Sequence, residues 1–189
     1  MFRLMKTVIA KDTEFAMIKL GLYQIAGGIV GIVIIIWGMY KTPLLTGLST
    51  LLFLFIILLF TYSIFCGTIC LKTKENALAH SLANQFLQLI GFAIMGFAFK
   101  YIAGFYLSIG LNLTESVKFD VGADISTFAF NLNNEVERLE VDLNLIAFGL
   151  VFWIDNLMTK VKVETKSRQI ASIGEISSTV HCFSFHSGR

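Results

Sequence analysis

The 28 residues of Leu44–Leu71 carry no charge and are bracketed by Lys41 on one side and by Lys72 and Lys74 on the other. A helix rises about 1.5 Å per residue, so this stretch reaches roughly 42 Å, more than the roughly 30 Å hydrocarbon core of a bilayer. Its polar residues (Thr46, Ser49, Thr50, Thr61, Tyr62, Ser63 and Thr68) are types that a helix carries in lipid. A soluble core helix is shorter and keeps a polar face, so the stretch predicts a transmembrane helix.

The rest of the chain agrees with a bilayer as solvent. Charged residues make up 15% of the sequence, against about 25% in an average soluble domain. The 189 residues, 56% of them hydrophobic, leave room for about four spans and one small extramembrane element. The net charge of +2 gives no reason to expect a nucleic-acid partner. Cys66 and Cys70 fall in the second apolar run and Cys182 in the tail, which builds no disulfide framework. The first long apolar run is a full span, with no short signal-like region before it.

Residues 1–19 mix apolar and charged positions and read as a cytoplasmic amphipathic lead-in, or as a polar approach to the first span. That span covers about residues 20–40. It contains Gln24 and a Gly27/Gly31 pair of the kind that lets helix backbones approach closely in membranes. The second span is 44–71. A third is expected over about 86–107, entered by Gln85 and Gln88, with Lys100 inside it and Gly96 and Gly104 as further close-packing positions. A short fourth span is expected over 145–162, followed by a polar tail, 163–189.

Between the third and fourth spans, residues 112–144 hold seven acidic residues against Lys118 and Arg138. Phe128–Leu132 and Leu139–Leu143 alternate apolar with polar, which predicts a β-hairpin turning at Asn133–Glu135. A helix starting at Asn134 fits the second arm too. The expected fold is therefore an all-α integral membrane protein of four transmembrane helices with a small extracytoplasmic β-hairpin.

With four spans, 11 of the 15 basic residues fall on one side. The positive-inside rule then places both termini in the cytoplasm and the acidic segment outside, across a bacterial inner membrane.

Ionisable residues at membrane depth mark bundle interiors or aqueous paths. The fourth span is short, which brings Asp142 and Asn144 or Asp155 and Asn156 towards the bilayer. Together with Lys100, Gln24 and Gln88 they are the candidate pore or buried polar residues. Asp155 beside Lys160 and Lys162 also suits the cytoplasmic interface, and Lys100 can snorkel or pair with Asp142. No catalytic, metal-ligating or cofactor-binding pattern stands out.

The leading functional expectation is a homo-oligomeric channel or pore-forming effector, by analogy a membrane effector of bacterial anti-phage defence. The alternative is a non-conducting sensor or scaffold whose external element binds a partner and whose cytoplasmic face docks a soluble protein or ligand.

Overall fold

The computed structural model describes residues 10–41, 47–74, 76–94, 97–113, 117–132 and 139–184. Four helices and six strands are present among them: α1 (Lys11–Lys41), α2 (Gly47–Leu71), α3 (Ala77–Leu87), β1 (Ile90–Ile94), β2 (Phe97–Tyr101), β3 (Phe105–Asn112), β4 (Lys118–Ile125), β5 (Phe128–Leu132), β6 (Leu139–Asn144) and α4 (Leu145–Ser184). The fold is mixed α and β, and the expectation of an all-α bundle of four spans is wrong. Two helices are long and apolar enough to cross a membrane, over Lys11–Lys41 and Thr50–Leu71.

The expected third span is the end of α3, the β1 and β2 strands and the start of β3. Ile90–Tyr101 carries one charge, Lys100, and is otherwise as rich in apolar residues as a membrane helix. Its pattern is different: Phe92, Phe97 and Phe99 alternate with Gly91, Ala93 and Ala98, a period of two, and the strands pair Phe92 with Phe99. The expected fourth span begins a 40-residue helix whose apolar start serves packing. Ala147, Ile154 and Leu157 are buried, the latter two in a cluster with Met17 and Leu20 of α1, Cys70 of α2 and Leu78 of α3. That helix continues through most of the expected tail.

The predicted β-hairpin also fails, although both of its arms are strands. β5 pairs with β2, and β6 pairs with β1 and β3. The predicted turn at Asn133–Glu135 lies outside the described residues, as do Gly96 and residues 1–9 of the lead-in, whose part from Lys11 onward is the start of α1.

All six strands form one antiparallel sheet in the order β4-β3-β6-β1-β2-β5. Tyr101 pairs with Phe128 and Phe105 with Ile125. Three residues, 102–104, thus stand opposite two, 126–127, a bulge that bends both strands. Gly104 takes φ +118 and Ser126 φ 42 at this bend. The glycine has a conformational reason there, because an L side chain is strained at such angles.

The bend is where the sheet meets the hairpin formed by α1 and α2, while β3 and β6 pack against α4. A Cβ on Gly27 would come within 2.6 Å of the Ala103 carbonyl carbon and the Gly104 nitrogen. Ser126 Oγ donates to the Gly27 carbonyl at 3.0 Å and accepts from Gly104 N at 2.9 Å. Gly27 therefore faces the sheet rather than another helix, and Gly31 faces the Phe60 ring of α2. The α1–α2 crossing rests on Gly21 and Gly67, each facing the other's carbonyl. Beyond the bend, Tyr101, Phe99 and Phe128 pack on Ile35, Ile56 and Phe60 of the distal hairpin.

Gly27→Ala should destabilise the protein by about 1–3 kcal/mol, because backbone on the far side has nowhere to move. A Cβ on Gly38 meets open space, so Gly38→Ala should be neutral or stabilising by up to about 1 kcal/mol. Thermal or denaturant unfolding of the two variants in one detergent measures the contrast.

Candidate functional site

Helix α3 carries a polar stripe with helical spacing, Ser81, Asn84, Gln85 and Gln88, and buries all four side chains against its neighbours. Ser81 Oγ donates to Gln24 Oε1 of α1 at 3.1 Å. Asn84 Nδ2 donates to Ser63 Oγ of α2 at 3.2 Å, and that hydroxyl donates to the Gln24 carbonyl at 3.1 Å. Tyr101 OH, on β2, donates to the Leu59 carbonyl at 2.8 Å. Gln88 Oε1 accepts from Ala103 N at 2.9 Å, and its carbonyl accepts from Asn144 Nδ2 at 3.2 Å. This seam joins α1, α2, α3 and the sheet. Gln24 and Gln88, both singled out from the sequence, belong to it as internal joints.

Asn144 has a second task. Its Oδ1 accepts from Ile146 N at 3.1 Å and Ala147 N at 3.3 Å, which caps the start of α4. Asp142, two residues earlier, lies on the same side of β6 and pairs with Lys100 at 3.1 Å. To do so Lys100 crosses the neighbouring strand β1, where Gly91 leaves room: a Cβ there would meet Lys100 Cγ at 3.3 Å. Gly110 on β3 opens the same kind of space for the Asp142 carboxylate. The Lys100 ammonium also lies 4.1 Å from the Tyr106 ring centroid. Burial works against its charge, but Tyr106 and Asp142 outweigh that and hold its pKa above the ordinary lysine value.

Asp155 and Asn156 are elsewhere, exposed on α4. The structure brings Lys100, Asp142, Asn144 and Gln88 into one region and leaves Asp155 and Asn156 apart from it. Tyr106, Gly110 and Ser126 are not picked out by the sequence, and Gly91 is legible there only as a glycine of the expected third span. The signal was present for β3, where Phe105, Leu107, Ile109 and Leu111 alternate with Tyr106, Ser108, Gly110 and Asn112.

Register extends that alternation over the whole sheet. Phe105, Leu107, Ile109 and Leu111 stand opposite Ile125, Ala123, Val121 and Phe119 of β4. Ile109 and Leu111 stand opposite Leu143 and Val141 of β6, which stand opposite Ile90 and Phe92 of β1. One face is apolar in every strand, and much of it is open, with Phe119 77% and Val121 71% exposed. The other face carries Lys100, Asp120, Asp124, Glu140 and Asp142, with Asn112 Nδ2 donating to Glu140 at 2.6 Å. In its middle Tyr106, Ser108 and Asn144 are buried. The sheet thus turns its polar face inward and its apolar face outward, the reverse of a soluble sheet.

No family model, curated protein or solved structure matches this chain.

Lys100 and Asp142 are each about a quarter exposed (26% and 27%), so a double-mutant cycle with Lys100→Met and Asp142→Asn should give a coupling of about 0.5–1 kcal/mol. A lysine pKa raised on folding stabilises fully below the unfolded value of 10.5 and loses that contribution as pH rises through the folded value. The coupling should accordingly be flat from pH 6 to 9 and shrink only in strong base, which unfolding titrations at several pH values would check.

Proposed function

We propose that this protein is a membrane-anchored, non-conducting scaffold. The observation that carries this reading is the outward apolar face of the sheet, packed beside a helical hairpin whose own surface is apolar. Leu22, Ile29, Val33, Ile36 and Trp37 of α1 and Leu51, Leu54, Leu58 and Phe65 of α2 are exposed. An apolar surface of this extent on a lone soluble chain marks a membrane or partner contact.

The hairpin has the dimensions of an anchor. Lys19 and Lys41 are 22 residues apart on α1, about 33 Å along a helix. Each lies beside an aromatic ring, Lys19 over Phe15 at 4.5 Å and Lys41 over Trp37 at 5.3 Å. Such aromatic and basic residues favour the two interfaces of a bilayer.

The hairpin's open end is basic. Glu164 of α4 accepts from Ala10 N at 2.9 Å and Thr13 Oγ1 at 3.1 Å, which brings the middle of α4 to the start of α1. Lys11 and Lys19, then Lys72 and Lys74, and then Lys160, Lys162 and Lys166 gather at that end. A cytoplasmic leaflet with its anionic headgroups suits them, and so does an acidic soluble partner docking on α4.

The scaffold reading is favoured over a channel because five of the sequence's pore candidates have internal partners, while Asp155 and Asn156 lie apart from them on α4. Lys100 and Asp142 neutralise each other, Asn144 caps α4, and Gln24 and Gln88 hold the seam. The protein should remain with membranes through alkaline carbonate extraction, and purified protein in planar bilayers should give no current above the lipid alone. Discrete currents that change with Asp142→Asn would restore the channel and sink the scaffold.

A further inference from the structure

We infer that the β4 edge of the sheet is a homodimer interface, in which Lys118–Ile125 pairs antiparallel with the same strand of a second copy, Val121 opposite Val121. The membrane-scaffold reading supplies the setting, but the pairing stands on the strand itself. β4 is at one end of the strand order, and among the described residues its only strand partner is β3. Seven of its eight residues are exposed. An edge this long, without proline and with one apolar side, is a template for strand addition. Beside a bilayer the need is greater, because lipid offers nothing to unpaired N–H and C=O groups.

The partner is a second copy because the strand is complementary to itself. Odd positions face the apolar side and even ones the polar side, so only registers that pair like parity keep both faces intact. With Val121 on the two-fold axis, Lys118 lies opposite the partner's Asp124, and symmetry makes that pair twice. Phe119 then meets Ala123, a large residue against a small one, and Asp120 meets Gly122. Moving the axis to Gly122 sets Asp120 against Asp124, and moving it to Asp120 sets that residue against itself. Directly opposed like charges destabilise a strand pair and unlike charges stabilise it. An axis at Phe119 also sets Lys118 against an aspartate, Asp120, but engages only Lys118–Asp120 of the strand, so charge and overlap together select the Val121 register. It also sets opposite charges together at Lys118 and Asp124, both exposed in the single chain, where Asp124 accepts from Ile125 N at 2.7 Å, and it joins the apolar faces of two copies into one.

Cross-linking of the full chain in nanodiscs, with Cys66, Cys70 and Cys182 replaced, tests the register. Directly opposed strand residues have Cα atoms about 4.5–5.5 Å apart, within disulfide range. Val121→Cys should therefore cross-link to itself under mild oxidation. Phe119→Cys, displaced four residues from its own copy, should not, and the Phe119→Cys/Ala123→Cys double variant should. Lys118→Asp and Asp124→Lys should each weaken dimerisation roughly five-fold or more, and the combined swap should restore it. These side chains are exposed, so circular dichroism should show all variants folded. A monomer in nanodiscs, cross-linking at Phe119 equal to that at Val121, or a swap that fails to rescue would each overturn the interface. Carbonate extraction is read separately: a dimer that leaves the membrane keeps this interface and removes the anchor, and an anchored monomer does the reverse.

Discussion

The structure depends on a contact between two backbones, the Gly27 turn of α1 and the Ala103–Gly104 bend of the sheet. Helix and sheet backbones rarely meet without side chains between them. Here the helix has none at Gly27, the strand bends through a glycine with φ +118, and Ser126 bridges the two. Everything distal follows from that contact. With the bend held against α1, β2 and β5 run along the outer half of the hairpin, and Phe99, Tyr101 and Phe128 fill the space against Ile35, Ile56 and Phe60.

That placement explains the inverted polarity of the sheet. A sheet packed over a soluble core buries its apolar face and turns charge to water. Here the hairpin covers only the end of the apolar face formed by β2 and β5, so the phenylalanines and leucines of β3 and β4 remain outward. The charges are on the inner side, where glycines at 91 and 110 make room for one ion pair and a tyrosine ring. Small residues on the inner face let the sheet curl, and the curl in turn closes the polar groups on one another. In the single chain much of the outer apolar face is left open.

How much of this was legible in the sequence differs by element. The two apolar helices were readable because α1 and α2 are nearly uncharged over a length that no strand reaches. β1 and β2 were not, because there phenylalanine and isoleucine alternate with glycine and alanine. The two strands are as poor in charge as a membrane helix, and the period of two separates them from one. Phe128–Leu132 and Leu139–Leu143 were readable as strands, but their partners were not. Nearest neighbours in sequence suggested a hairpin, whereas the bulge at 102–104 and 126–127 sends β5 to β2 and frees β6 for β1 and β3. The candidate polar residues were recognisable as exceptional for the same reason that their roles were obscure. Gln24, Gln88 and Asn144 are costly when buried, and nothing short of the fold says whether a pore or a joint meets that cost.

The same bend ties the open edge of the sheet to the hairpin. β4 runs directly into Ser126, whose hydroxyl is held by the Gly27 carbonyl, and only residue 127 separates that serine from β5. The edge is therefore not a loose flap: its lower end is fixed to the middle of α1. Two copies joined along β4 would have their hairpins set at a defined separation and related by a two-fold axis through Val121. Such an axis is normal to the sheet and passes midway between the two copies of Val121. It keeps both apolar faces on one side and preserves the parity of every opposed residue. The geometry of the strand and the polarity of the surface thus require the same symmetry.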